Sequence, residues 1–552
     1  QNEAATHDAI DDDGWFHNQR DGSKLGKSES YVVRPIIEFA PRDGIDLVLR
    51  YEHGNSTGDG AIGQNRALFP RGSSKVTTDN PGFSDFHWNQ ATAELNVDVG
   101  FGNGRITNIF GYRDYSAKSQ SDFDATNLNL LMFGEITKQH QYSNEIRYAG
   151  RFWDRVNITV GGFWFDQNLK YQETRFLFQD PSLAAAQKAG LVPPPLSFYG
   201  GGIQDQRVLG IFGSAAIDLT DALTVDLGLR WSDERKKVKL ATVLPGPASP
   251  DRWTIPAAAC NIQAGSCVYD VNANPKFDPE KSWSSWSPKV GLRYAIADNV
   301  RSYGSWSRAY RSGGYNLRNT VPGASPGPFS PERVDSFEVG LKSEPVAGAR
   351  LNVAAFLTKI KDMQREILLK DPVLGTVQQI TNTADAEIKG FEVEGQLSIV
   401  DHLVLNASVG YLDDSYKKIL FDISGDGVVN SLDYALKLPR VPPWSYSAGF
   451  LFDHDIGGGT LGTLRGNFSH RDKAAFTDNN RGMLSGADML DGSITFTTAD
   501  RHLEFAIYGE NLLDNITEGS DSQTPFPPGS TNGTHSPLNK GRVVGASLKI
   551  SY

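Results

Sequence analysis

Segments in which every second residue is apolar recur along nearly the whole chain, and they come in pairs joined by very short turns. At the C-terminal end, Val544, Ala546, Leu548, Ile550 and Tyr552 fall on one side of a period-2 strand, with Gly545, Ser547, Lys549 and Ser551 on the other. In Leu403 to Tyr411 the odd positions are apolar and the even ones mainly small or polar. Between Ala93 and Val99, Glu94, Asn96 and Asp98 alternate fully with apolar neighbours. A polar or charged residue at every second position cannot line a dry sandwich core. It can face a water-filled lumen while the opposite face meets hydrocarbon.

The connections carry the second half of the argument. Short turns lie at 41–44, 102–104, 153–155, 220–222, 297–299, 400–402, 457–459 and 499–501, where Asp and Gly supply the backbone conformations that tight reversals need. Between the pairs lie long polar loops, near 55–85, 118–138, 173–203, 241–281, 312–331, 416–440 and 514–540. Short turns on one rim and long loops on the other define an all-β fold, a large antiparallel transmembrane β-barrel with short periplasmic turns and long extracellular loops. About nineteen strands are expected, the first near 29–41. Counting back from the closing strand, residues 1–28 are expected to be an extracellular loop or the remnant of a truncated N-terminal part, and 29–552 the barrel. An even-stranded barrel then requires an odd number of strands upstream.

Composition agrees. No run of 18 or more apolar residues occurs and the mean hydropathy is -0.38, so transmembrane helices are excluded, while a barrel strand needs only about 9–11 residues. The net charge of -11 argues against a nucleic-acid partner. Cys260 and Cys267, seven residues apart in a loop-like stretch without further Cys or His, are too few for a zinc site and read as a loop-stapling disulfide.

Two local patterns could carry chemistry. Asp422, Ser424, Asp426, Val428, Asn430 and Asp433, with Gly427 for the sharp turn, match positions 1, 3, 5, 7, 9 and 12 of a calcium loop. Calcium there would order an extracellular loop; the alternative is an Asp/Gly-rich surface turn. Trp306, Arg308, Tyr310, Arg311 and Tyr315 interleave cations and rings where a strand enters a loop. They could hold an anionic ligand, or form an aromatic girdle whose arginines face lipopolysaccharide phosphate. The ten His are dispersed, and no HExxH, GxSxG or P-loop is present, so the chain is not expected to be an enzyme.

An ordered series of patterns carries a family likeness. It runs from Leu227-Gly228-Leu229-Arg230-Trp231 and Glu234 to Ser287-Pro288-Lys289-Val290-Gly291. Tyr303 through Arg311-Ser312-Gly313-Gly314-Tyr315-Asn316 follow, then Phe337 to Lys342, Leu351 to Phe356 and Asp362-Met363-Gln364. Ile388 to Glu394 and Asn511-Leu512-Leu513-Asp514 complete it. From about residue 29 to 552 the chain resembles the barrel domain of TonB-dependent outer-membrane receptors. The resemblance implies a 22-stranded barrel in the outer membrane of a Gram-negative bacterium, set among outer-membrane lipid and lipopolysaccharide. It implies an N-terminal plug and some three strands outside this chain, and contact with TonB through that plug. The implied activity is energised import of a scarce small-molecule ligand: an iron-siderophore first, otherwise a sugar, cobalamin or an aromatic compound. A passive porin-like channel and a surface-anchoring, partner-binding barrel are the alternatives. Glu338, Lys342, Lys389, Glu392 and Glu394 are expected to form a lumen charge network against the plug.

Overall fold

The computed structural model describes residues 2–243, 278–318, 326–371, 375–524 and 533–551; Cys260 and Cys267 lie outside them. Twenty strands form one antiparallel sheet. Each strand pairs with its neighbour in sequence, from Asn2–Asp12 beside Ser28–Arg42 to Leu503–Glu510 beside Val543–Ile550. The first strand was not expected. Residues 1–28 read as an extracellular loop, yet Asn2–Asp12 runs in register along Ser28–Arg42, leaving only 13–27 as the connection and raising the count from about nineteen to twenty. Its sequence, with His7, Asp8, Asp11 and Asp12, lacks period-2 hydrophobicity. Backbone pairing with an established neighbour determines its conformation.

The alternation read from the sequence sorts the wall into two faces. Val544 and Leu548 are 66% and 64% exposed on the last strand, and register sets Leu548 opposite Phe505 and Ile550 opposite Leu503, both also exposed. Ile211 and Val339 continue this apolar outer face around the sheet. The opposite face is polar and cross-linked. Arg50 bonds Glu94 at 3.1 Å, Asn96 bonds Asp46 at 2.9 Å, and Arg293 reaches Asp226 through two nitrogens at 2.6 and 2.8 Å. Of the expected lumen charges, Glu338 accepts from the Tyr303 hydroxyl at 2.6 Å and Lys389 lies 3.2 Å from Asp413.

Turns follow the residues that permit them. Asp43-Gly44 joins Ser28–Arg42 to Ile45–Gly58 with Gly44 at φ 76°. Trp153 and Asp154, at φ 51° and 54°, shape the three-residue reversal between Leu131–Phe152 and Val156–Leu177. Two successive left-handed residues match the twist of a hairpin. In Ala349–Asp371 the register breaks at Asp362, whose φ is 53°. This bulge turns Met363 into a buried cluster with Ala384, Ala386, Tyr416 and Leu438. Two other clusters also lie among loops and strand ends: Val238, Leu240, Trp283 and Tyr315, and Phe16, Leu25 and Val76.

Candidate functional site

The aromatic and arginine pattern on Val300–Arg311 takes its placement from register. Trp306 lies opposite Val290 on one side and Phe337 on the other, and Arg308 follows on the same face. Paired residues share a face, so Trp306 and Arg308 sit on the apolar outer side of the wall. Their polar atoms are engaged there. Asp335 accepts from Arg308 Nε at 2.8 Å, from a terminal guanidinium nitrogen at 3.2 Å and from Trp306 Nε1 at 3.2 Å. The guanidinium also lies 5.6 Å from the Trp306 ring centre. Arg311 is spent on Glu332 and on the Gln364 carbonyl, both at 2.9 Å. Tyr315 is buried against Trp283 and donates to the Asp278 carbonyl at 2.8 Å. Tyr310 is half-buried at the end of the strand. The structure therefore brings Trp306 and Arg308 together around Asp335 and places Tyr315 in a separate cluster.

The Asp422–Asp433 loop folds around its own N–H donors. Asp433 is fully buried; Oδ1 accepts from the Ile423 and Ser424 amides and Oδ2 from the Asn430 amide, each at 2.8 Å. Asp422 accepts from Gly425 at 2.8 Å, from Gly427 at 2.7 Å and from the Ser424 hydroxyl at 3.1 Å. Burial alone would raise the Asp422 pKa, but these donors hold it below the usual carboxylate value. Asp426 takes the Val428 amide and the Asn430 side chain, and Asn430 with Asp433 makes a capping box for the short helix Ser431–Tyr434. Among the described residues, no group of three or more His, Cys, Asp or Glu is placed to hold a metal ion.

The most heavily interlinked polar region had no motif to announce it. Loops 13–27, 59–82 and 472–486 meet residues 511–524 and 533–542 above the rim. Residues 63–64 pair with 536–537 and residues 522–523 with 534–535, making a small three-stranded sheet from two loops. Glu518 and Asp521, whose side chains are fully buried, form its polar centre. Arg71 pairs with Glu518 and lies 2.6 Å from Asp521; Glu518 also accepts from the Ser485 amide at 2.9 Å and hydroxyl at 2.8 Å. Asp521 accepts from the Met483 amide at 2.7 Å and the Ser536 hydroxyl at 2.6 Å, which hold its pKa down against burial. Lys540 pairs with Asp12, and Phe16, Leu25 and Val76 pack with Leu538. Loops from both ends of the chain are thus joined in one cap. Sequence reasoning missed it because Arg71 and Glu518 lie 447 residues apart.

The family model described as "TonB dependent receptor-like, beta-barrel" matches residues 35–512. The chain belongs to the TonB-dependent receptors. Members of this family are outer-membrane transporters built on β-strands and are not enzymes, in agreement with the transmembrane β-barrel expected from sequence. Among solved structures, this receptor is similar to the ferric yersiniabactin uptake receptor FyuA from Yersinia pestis, at TM-score 0.78 and 16% identity over 100% of this chain and 75% of that one. It is also similar to the siderophore receptor PiuA from Acinetobacter baumannii, at TM-score 0.72 and 14% identity over 99% of this chain and 76% of that one. The copper transporter OprC matches at TM-score 0.69 and 12% identity over 100% of this chain and 76% of that one. At these identities the likeness is one of fold. In this receptor the cap of loops is therefore the part whose residues must be read for themselves.

Proposed function

We propose that this receptor captures an iron-siderophore in its extracellular loops and imports it across the outer membrane of a Gram-negative bacterium, with TonB acting through a plug. The observation that carries the reading is the membership itself, with solved relatives named for ferric yersiniabactin, for a siderophore and for copper. The loop cap supports it in physical terms. A receptor for a scarce ligand needs polar groups held in place before the ligand arrives, because ordering them on binding would cost affinity. The buried Glu518 and Asp521 system joins three loops in that way, 59–82, 472–486 and the one that carries both carboxylates.

Growth under iron limitation tests the reading. A strain lacking this receptor and other ferric uptake routes, fed single ferric siderophores, is expected to grow on at least one of them only when the gene is restored and TonB is present. Uptake that persists without TonB would identify a passive channel. Growth restored by a copper chelate or a sugar, and by no ferric siderophore, would replace the cargo.

A further inference from the structure

Where the loops 59–82 and 472–486 meet residues 511–524 and 533–542, they border an open cavity of about 500 Å³ whose lining includes Arg66, Arg71, Arg481 and Asp521. That volume lies within the range of small-ligand sites. Its cations are unequally satisfied. Arg71 is consumed by Glu518 and Asp521. The Arg66 side chain is only 8% exposed, yet among the described residues its Nε has no hydrogen-bond acceptor. Its Nη2 also has none, lying 3.4 Å from Glu518 Oε2 in a pairing that makes no hydrogen bond. The remaining terminal nitrogen of Arg66 bonds Gln64, whose own amide is fixed by the Ser73 and Lys75 carbonyls at 2.8 and 2.5 Å. Arg481 is exposed, and among the described residues its guanidinium makes a single 3.4 Å bond, to the Ser424 carbonyl.

Arg66 and Arg71 thus face Glu518 and Asp521, while Arg481 has no carboxylate partner among the described residues, so three guanidinium groups stand against two carboxylates. A buried cation short of acceptors is costly until an anion supplies them. Burial is the largest influence on Arg66 and lowers its pKa, as it does for a cation with too little counter-charge. Planar guanidinium forks match the paired oxygens of carboxylate and phosphate. We infer that Arg66 and Arg481, with Arg71 as the fixed wall between the loops, form a binding site for a small oxyanion, a carboxylate or a phosphate.

Calorimetric titration of the detergent-purified full-length receptor with citrate and with inorganic phosphate tests the site without reference to import. Saturable binding of at least one anion is expected, weakened at least tenfold by Arg481→Gln. That exposed side chain can be removed with every ion pair of Glu518 and Asp521 intact. Arg66→Gln is expected to weaken binding by as much or more; should it fail to fold, Arg481→Gln decides alone. No saturable binding by the unaltered receptor, or affinity unchanged by Arg481→Gln, would overturn the inference. Repeating the titration with lipid A vesicles present separates the sources. Loss of citrate or phosphate binding there names a lipid phosphate as the occupant, and undiminished binding names a soluble anion; either keeps the site.

Discussion

Two stretches of the wall differ in height, and they hold their loops by different means. Leu131–Phe152, Val156–Leu177, Leu196–Asp218 and Leu223–Val243 contain 22, 22, 23 and 21 residues. Trp444–Asp455, Leu461–Arg471, Ala487–Thr497, Leu503–Glu510 and Val543–Ile550 contain 12, 11, 11, 8 and 8. A membrane crossing needs about 9–11 residues, so the tall strands carry roughly ten more, an extension of about 30 Å beyond the bilayer. On that side the sheet simply continues, and backbone ladders support the projecting hairpins. On the low side the ladder ends at the rim, and the loops above are tied by buried side chains, with Glu518 and Asp521 at the centre. A ladder distributes support over many bonds. A buried ion cluster concentrates it in a few.

The largest expected effect follows from that concentration. Glu518→Ala removes a fully buried carboxylate, leaves Arg71 with Asp521 alone, takes the nearest carboxylate from Arg66 and strands the Ser485 amide. Breaking a buried pair from one side costs about 3–5 kcal/mol, which corresponds to a local opening constant raised on the order of a hundredfold or more. Hydrogen exchange should show that rise at 472–486 and 511–542, while the hairpin 131–177 stays protected. Equal loosening of both regions would mean that the cap supports the whole rim and that the two sides are not independent.

Next in size is the response to acid. His535 is buried within the loop sheet, stacked on Phe123 at 4.4 Å, and burial pushes its pKa down from 6.5 to about 4. The unfolded loop takes up a proton below about pH 6.5, whereas the folded loop resists it until about pH 4. The contribution of His535 is thus full above pH 6.5 and declines through that window by up to about tenfold in opening constant per pH unit. Asp79 acts in the opposite sense. Its own burial, and then the charge of Asp124, raise it from 3.8 to about 6, so it favours the folded loop as pH falls through that range. The difference between the unaltered receptor and His535→Gln isolates the histidine. An identical pH slope at 511–542 in both would show that the loop sheet does not depend on it.

The contrast between the sides also marks what could be read in advance. The two faces of the wall were legible because hydrocarbon imposes a strict period: Val544, Leu548 and Ile550 alternate with Gly545, Ser547 and Lys549 and are exposed on the outer face as expected. The Asp-Gly reversal at 43–44 was legible for the same local reason. On Val300–Arg311 the period fades, since Ser302, Gly304 and Trp306 are no more apolar than Tyr303, Ser305 and Ser307. Only register with Val290 and Phe337 reveals which face Trp306 and Arg308 occupy. Asn2–Asp12 and the cap required the fold itself. The strand is specified by its neighbour, and the cap by residues that meet only when both ends of the chain come together. Asn430 and Asp433, read as cation ligands, also have the spacing of a capping box, a local signal that was available and passed over.

A smaller effect is expected where the tall side has an ion cluster of its own. The fully buried Glu173 side chain bonds Arg175 at 2.6 Å and Arg318 at 2.8 Å. Its backbone, however, is laddered to Glu135 on one side and Gly200 on the other. Glu173→Gln keeps the shape and removes the charge, so exchange across 131–177 should rise less than tenfold. A rise matching that of Glu518→Ala would refute the view that the ladder carries the tall side.

Calcium should have the smallest effect, and it bears on a loop that is held by its own amides. We propose that a cation can add to the Asp422–Asp433 loop through oxygens of Asp422, Ser424 and Asp426 and the Val428 carbonyl. Asp433 already accepts three backbone N–H groups and is committed to the fold. Because Asp422 and Asp426 are also bonded to amides within the loop, the loop keeps its conformation without the ion. Chelation is therefore expected to raise exchange at 422–433 only about threefold, in contrast to the hundredfold opening produced by removing Glu518. Proteolysis and exchange that do not change at all between chelator and excess calcium would remove the cation from this loop. A rise of a hundredfold would mean that the amide bonds cannot sustain the loop and that, on the low side, ions as well as buried carboxylates take the place of the missing ladder.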